Sequence, residues 1–283
     1  MVKNYLKSVR ITNLILLGVL FWGIMYQIYN NEFSFCMDHL LLFLAIISTT
    51  ASGYLINNYY DIRSDEINGK SLLKLTSNYL IKGYFLHFIL SFVFLVISNL
   101  DGGWFIFNLF LHVLLLLYSL KLQHLPILGN LIVAILCAMV ILIPMRLSNQ
   151  YFNFFNFNLE ENSAILYAVF CFIITLKREV IKDIEDYKGD KTIGSHTLPI
   201  VLGISFTKVY IYLLIIAESL YMFLCIQETI YELSFTLFYL IQFCIIIYIS
   251  YKIYSNSNYE EFKASSMLVK LQFLLAGIAL YVL

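Results

Sequence analysis

Apolar residues run along this chain in long continuous blocks, separated by short polar breaks. Crossing a hydrocarbon core takes roughly 20 predominantly apolar residues of helix. The blocks have that length at 12–30, 38–58, 79–98, 103–120, 127–145, 163–182, 206–226, 233–254 and 265–282. They do not alternate apolar and polar with period two, so a transmembrane barrel is a poor reading, and only helices or closed barrels satisfy their backbone groups in lipid. The pattern therefore predicts an all-α integral membrane protein with nine transmembrane helices. Short connections leave no room for a separate soluble part, so residues 1–283 read as a single transmembrane domain. The first block follows basic residues as a signal peptide would, but no small-residue cleavage site follows Leu14–Leu17, and it reads as a retained helix.

Composition agrees with the pattern. Hydrophobic residues make up 61% of the chain and charged residues 13%, with a mean hydropathy of +0.82. That is more apolar surface than a soluble domain of 283 residues could bury in its own core, so lipid must cover the surplus. The formal net charge of zero hides a strong asymmetry. With the N-terminus cytoplasmic, every one of the 18 basic residues except Arg146 falls in or beside a cytoplasmic segment. Acids such as Glu32, Asp38, Asp101, Glu160, Glu161, Glu228 and Glu232 occupy the opposite side.

Two cytoplasmic segments are rich in acids as well as bases. The first, Asn57-Asn58-Tyr59-Tyr60-Asp61-Ile62-Arg63-Ser64-Asp65, runs off the end of the second span. Steps of four on a helix place Asn57, Asp61 and Asp65 on one face. The second, Asp183-Ile184-Glu185-Asp186-Tyr187-Lys188-Gly189-Asp190, leaves the sixth span, and steps of three and four align Asp183, Asp186 and Asp190. Carboxylates gathered in this way repel one another unless a cation lies between them. An all-oxygen set suits Mg²⁺, which takes one or two carboxylates together with waters and substrate phosphate oxygens. Two such clusters could hold two Mg²⁺ ions around a diphosphate. The competing reading is a pair of solvated helix ends, a common fate of charge runs, and recurrence of the motif at one membrane face weighs against it.

These residues carry a family resemblance. Asn57-x3-Asp61-x3-Asp65 and Asp183-x2-Asp186-x3-Asp190, with Arg178-Glu179 before the second motif and Thr197-Leu198-Pro199 after it, resemble the UbiA superfamily of intramembrane prenyltransferases. Tyr118-Ser119-Leu120-Lys121 followed by Gly129-Asn130-Leu131-Ile132-Val133-Ala134 is similar to the family's fourth-to-fifth helix region, and Arg10 and Asn13 fit its N-terminal pattern. The run from Arg178 to Asp190 most resembles the archaeal-type enzymes that prenylate geranylgeranylglycerol phosphate, and their bacterial relatives. The resemblance implies a UbiA-like helical bundle around a central cavity. It also implies Mg²⁺ held by Asp61, Asp65, Asp183, Asp186 and Asp190, which bind an isoprenoid diphosphate and activate it as a leaving group. Asn57 would complete the first cluster, while Arg63, Lys121 and Arg10 are cationic partners for the diphosphate. Asn13 and Tyr118 join the substrate-binding set, and a lipophilic acceptor, either a glycerol phosphate lipid or an aromatic ring, attacks the activated chain.

The chain departs from the family pattern at Asn58, where an Asp usually follows the first Asn, and in Ile67-Asn68-Gly69-Lys70-Ser71-Leu72-Leu73-Lys74, where many members have an Arg/Pro-containing run. The five cysteines and five histidines show no ligand spacing. No nucleic-acid motif is present. Glu218 lies inside the seventh span, where an acid normally faces protein or water. A reading from a different class is a cation- or proton-coupled transporter, whose acids would sit near the bilayer midplane; the acid clusters at helix ends favour the enzyme.

Overall fold

The computed structural model describes residues 2–29, 36–69, 76–147, 159–229, 233–255 and 259–282. Among the described residues the secondary structure is entirely helical: α1 Val2–Ser8, α2 Ile11–Ile28, α3 Met37–Ile67, α4 Ser77–Ile97, α5 Gly103–Leu120, a 3₁₀ turn Leu122–His124, α6 Leu128–Leu147, α7 Leu159–Glu185, α8 Tyr187–Thr192, α9 Leu198–Val201, α10 Ile204–Thr229, α11 Leu233–Ser255 and α12 Tyr259–Val282. Lys70, Lys74, Glu32 and Glu232 lie outside the described residues.

Eight described helices are long and apolar enough to cross a membrane: α2, α3, α4, α5, α6, α10, α11 and α12. The protein is a multi-pass integral membrane protein. The sequence pattern predicts nine spans, and the ninth corresponds to α7, which is long enough but carries Lys177, Arg178, Glu179, Lys182 and Asp183 toward its C-terminal end. The physical reason is burial. From Ala164 to Ile184, α7 is enclosed on most of its surface, with Ile174, Lys177, Val180, Ile181 and Ile184 fully buried. A helix surrounded by protein can hold charges that lipid would expel. By contrast, α10 exposes Phe206, Val209, Leu213, Ile216, Leu220 and Phe223, a stripe at steps of three and four that suits a lipid-facing surface.

The chain forms two compact units. The first comprises residues 1–18, 34–124 and 188–194, and the second comprises residues 19–33, 125–187 and 195–283. In the first unit Val9, Leu14, Ala51, Leu55 and Leu80 form an apolar core bordered by Tyr5, Tyr54, Tyr59 and Tyr84. A second, polar layer ties α3, α4 and α5 together. Thr49 donates to Asn108 Oδ1 at 2.6 Å, Asn108 donates to Ser91 Oγ at 3.0 Å, and His112 bridges Ser91 at 2.9 Å and Ser52 at 3.2 Å. Every member is buried. In an apolar surrounding each polar group must find a partner inside the protein, which fixes the rotation of each helix about its axis.

The second unit is organised around α7. One face of α7 packs Phe170, Ile174, Ile181 and Ile184 into a core with Ile211 and Ile215 of α10, Ile246 and Ile249 of α11, and Phe262 and Val269 of α12. Ala164, Ala168 and Cys171 pack with Leu20 and Ile24 of α2, Ile141 and Met145 of α6, and Leu280 of α12. At the centre of this unit, Lys177 forms an ion pair with Glu218 of α10, and both side chains are fully buried. Gln272 of α12 accepts from Lys177 at 2.9 Å, donates to Glu218 Oε1 at 2.9 Å and donates to Gln242 of α11 at 3.2 Å. Glu218, singled out from the sequence as an intramembrane acid, is thus a structural member of a closed quartet drawn from four helices.

Candidate active site

The first motif owes its position to the length of α3. Its 31 residues extend about 46 Å at 1.5 Å per residue, well beyond a hydrocarbon core of about 30 Å. Asn57 lies about 30 Å from the start of the helix, so the motif begins where apolar burial is no longer required.

Asn57 is buried and held on two sides. Arg10 Nη2 donates to its Oδ1 at 3.2 Å, and its Nδ2 donates to Gln123 Oε1 at 2.6 Å. Gln123, on the 3₁₀ turn, also donates to Asp61 Oδ1 at 2.9 Å and to the Ser119 carbonyl at 3.1 Å. One amide therefore links successive turns of the motif. Arg10 breaks the chain between α1 and α2 in the left-handed region, at φ 51°, a conformation that costs a non-glycine residue about 1–2 kcal/mol. Its guanidinium lies 4.8 Å from the centre of the Tyr54 ring, a cation–π contact, and Asn13 donates to the same tyrosine's hydroxyl at 3.2 Å. The strained turn thus aims a cation at the first motif. Burial pushes the His124 imidazole below its ordinary value, and the Asp61 carboxylate pulls it partly back up.

One turn further along α3, Asp65 is half-buried. The preceding Ser64 donates to Asp190 Oδ1 at 3.3 Å, and the Gly189 amide donates to Asn68 Oδ1 at 2.8 Å. The second motif is divided between the units: Asp190 belongs with the first, Asp183 and Asp186 with the second. Asn58 spends its side-chain amide on the Ser8 carbonyl of α1 at 2.8 Å. A carboxylate could not donate that bond, which gives the departure from the family pattern a local reason. Arg63 and Lys121 are exposed and Tyr118 is half-buried.

In the second unit, α7 carries a polar stripe. Thr175, Arg178, Glu179, Lys182, Asp183 and Asp186 recur at steps of three and four, so they share a face. Asn130 of α6 donates to Asp183 Oδ2 at 2.8 Å. Asp186 sits half-buried on the turn that ends α7. Arg178 and Glu179 form an ion pair with little solvent exposure.

Gln123, Asn68, Ser64 and Asn130 act on the motifs without having been singled out as site residues from the sequence. They are uncharged and follow no spacing rule, so only the fold brings Gln123, Ser64 and Asn130 to aspartates and Asn68 to the Gly189 amide. Among the described residues no group of three or more His, Cys, Asp or Glu side chains is gathered closely enough to cage a metal ion. That donor set still fits Mg²⁺, which keeps its waters and takes one or two carboxylates plus phosphate oxygens.

All-helical membrane architecture with paired Asp motifs at helix ends defines a class of intramembrane enzymes acting on amphipathic substrates. The chain belongs to the UbiA prenyltransferase family, which it matches over residues 16–274. It is 28% identical over 285 residues to a digeranylgeranylglyceryl phosphate synthase of Methanosphaera stadtmanae, covering 97% of each chain. The fold is similar to that of a structure described as giving insights into the biosynthesis of digeranylgeranylglyceryl phosphate synthase in membranes, with a TM-score of 0.69, 24% identity, and 99% of this chain and 97% of that one covered. A UbiA homolog from Archaeoglobus fulgidus bound to GPP and Mg²⁺ superposes with a TM-score of 0.65 at 14% identity, covering 99% of this chain and 100% of that one. The protein is a prenyltransferase, and the transporter reading is set aside.

Proposed function

We propose that this protein transfers a long isoprenoid chain from its diphosphate to the hydroxyl of a prenylglycerol phosphate, releasing diphosphate. The observation that carries the reading is similarity over nearly the full length to a digeranylgeranylglyceryl phosphate synthase, joined to the two Asp motifs. Asp61 and Asp65, with Asn57, and Asp183, Asp186 and Asp190 would hold Mg²⁺ against the diphosphate oxygens. When bound, Mg²⁺ neutralises the charge developing on the leaving diphosphate. Arg10 supports the first motif as a cation whose guanidinium can also fork onto phosphate oxygens, and Lys121 and Arg63 supply mobile positive charge nearby. The isoprenoid tail stays among apolar helices or in lipid while its diphosphate remains at the polar helix ends. One domain spanning residues 1–283, with the N-terminus and both motifs on the cytoplasmic side, accords with the distribution of basic residues.

The test is incubation of purified protein with Mg²⁺, a panel of prenyl diphosphates, and glycerol phosphate or aromatic acceptors, with products read by mass spectrometry. A prenylated glycerol phosphate ether is expected with geranylgeranyl diphosphate. Exclusive prenylation of an aromatic ring would replace this acceptor assignment.

A further inference from the structure

The short first helix divides sharply by face. At about 100° per residue, Val2, Lys3, Leu6 and Lys7 fall on one side of α1, with Tyr5 and Ser8 on the other. The first four are exposed, Val2 at 73% and Leu6 at 40%, while Ser8 is buried. The inner side is engaged with its own unit: the Tyr5 hydroxyl bonds His87 of α4, its ring meets Tyr79 edge-on, and the Ser8 carbonyl accepts from Asn58 of α3. The outer side presents two apolar side chains beside two ammonium groups.

Its neighbours fix the level of α1 in the membrane. Arg10, just past its end, donates to Asn57 Oδ1, and Asn57 lies about 30 Å along α3, the thickness of a hydrocarbon core. On α4, a Cβ at Gly83 would lie 3.7 Å from the Tyr5 ring, so α1 runs beside the level of the adjoining, exposed Lys82. Both contacts put α1 at the boundary between hydrocarbon and headgroups. There a face that mixes lysine with valine and leucine suits its surroundings on both sides, the ammonium groups meeting headgroups and the apolar side chains meeting acyl chains.

We propose that the outer face of α1 docks on anionic lipid headgroups of the bilayer, with Lys3, Lys7 and Lys82 on the phosphates and Val2 and Leu6 at the acyl boundary, and that this docking steadies the first Asp motif for its donor. The link consists of the two bonds from the end of α1, Ser8 to Asn58 at 2.8 Å and Arg10 to Asn57 at 3.2 Å. Arg10 adopts φ 51°, a conformation that persists only where its surroundings hold it, and a docked α1 holds it from the N-terminal side. The coupling rests on the reading of the first motif as the donor site, whereas the docking does not.

The experiment places full-length wild-type protein and the Lys3→Gln, Lys7→Gln, Lys82→Gln triple variant in nanodiscs of zwitterionic lipid, with or without an anionic phospholipid. Cross-linking to a photoactivatable anionic phospholipid is mapped by mass spectrometry, and Mg²⁺-dependent retention of radiolabelled geranylgeranyl diphosphate is measured on the same preparations. One basic residue near an anionic surface is worth about a fivefold preference for it. Adducts are expected on α1 of the wild type, with donor affinity at least about fivefold higher in the anionic membrane. The triple variant is expected to match the wild type in neutral lipid and to lose both the adducts and the gain. Soluble glycerol phosphate, which carries the charge without the bilayer, is expected not to reproduce the gain, and its doing so overturns the assignment to the membrane surface. Adducts on α1 unchanged by the triple substitution overturn the docking, and equal loss of donor in both membranes overturns it in favour of a structural role for the lysines. Adducts on α1 with no donor retained in any membrane overturn the donor reading and the coupling together, and leave the docking standing.

Discussion

The side-chain carbonyl of Asn68 accepts the backbone N–H of Gly189 at 2.8 Å, tying the end of the helix that carries the first Asp motif to the turn that carries Asp190. The approach is so close that a Cβ on Gly189 would lie 2.3 Å from Asn68 Nδ2 and 2.6 Å from the Ser64 carbonyl. Gly189→Ala must therefore push the turn away from α3. Since Ser64 also bonds Asp190, the displacement reaches the carboxylate. Donor binding is expected to weaken at least tenfold, about 1.4 kcal/mol, with a smaller loss for Asn68→Ala, which removes one hydrogen bond worth about 1 kcal/mol. Titration of Mg²⁺-dependent donor binding checks both; equal affinity for Gly189→Ala and wild type would refute the coupling.

Gln123 sets up a second test. Its amide bridges Asn57 and Asp61, so Gln123→Leu removes one hydrogen bond from each of two motif residues at once. Asp61 is half-buried, so water can replace its lost donor, but the buried Asn57 amide loses its acceptor, so global stability should fall by about 1–3 kcal/mol. The apparent affinity for the Mg²⁺-loaded donor should fall about fivefold, the equivalent of about 1 kcal/mol of lost ordering. Gln123→Glu should be worse, because it sets a second carboxylate against Asp61. Steady-state kinetics at varied Mg²⁺ distinguish these outcomes from a general loss of fold.

In the second unit, the Lys177–Glu218 pair permits a test of stability. Lys177→Met alone leaves Glu218 as an uncompensated buried charge and should destabilise by about 3–5 kcal/mol. Joining it with Glu218→Met removes both charges and should restore most of the loss, since Gln272 and Gln242 still bond one another. Thermal unfolding in detergent of the two single variants and the double reads the coupling directly. Additive losses would mean that the pair does not act as a unit.

How far the sequence reaches can be seen from these same residues. Helix positions and the shared face of Asn57, Asp61 and Asp65 were legible because hydropathy and helical phase depend only on local spacing. The burial of α7 was not legible, because an apolar window cannot tell lipid from protein as its surroundings, and Lys177, Arg178 and Glu179 are tolerated only by virtue of their neighbours. Gln123 and Asn68 were equally hidden: an uncharged amide has no signature until the fold brings a carboxylate or a glycine N–H to it. Asn58 was visible as a departure, but its bond to Ser8 supplied the reason.

His124 makes the first motif sensitive to pH. Burial lowers its folded pKa below the ordinary value, with Asp61 opposing the shift. As pH falls through about 6.5 the unfolded chain takes up the proton before the folded one. Stability contributed by the neutral imidazole is therefore fully present above that pH and is lost progressively down to the folded pKa. His124→Phe should remove this part of the decline in Tm between neutral and mildly acid pH. Asp61→Asn should steepen it, because the carboxylate that favours the protonated ring is gone. An unchanged slope in both variants would show that other groups dominate acid sensitivity.

The Asp motifs themselves give the sharpest functional contrast. Asp61→Asn and Asp186→Asn keep side-chain volume but each removes a negative charge from the set proposed to hold Mg²⁺. Mg²⁺ takes only one or two carboxylates from a protein, so loss of one of them would be felt directly. Each variant should lose diphosphate release by at least about 100-fold, the scale expected when a group stabilising developing charge is removed, while unfolding at nearly the wild-type temperature. Raising Mg²⁺ should recover activity in part if the lesion is weakened metal binding, and chelation should silence the wild type reversibly. Full turnover by both variants at limiting Mg²⁺ would mean that the carboxylates serve only as solvated helix ends.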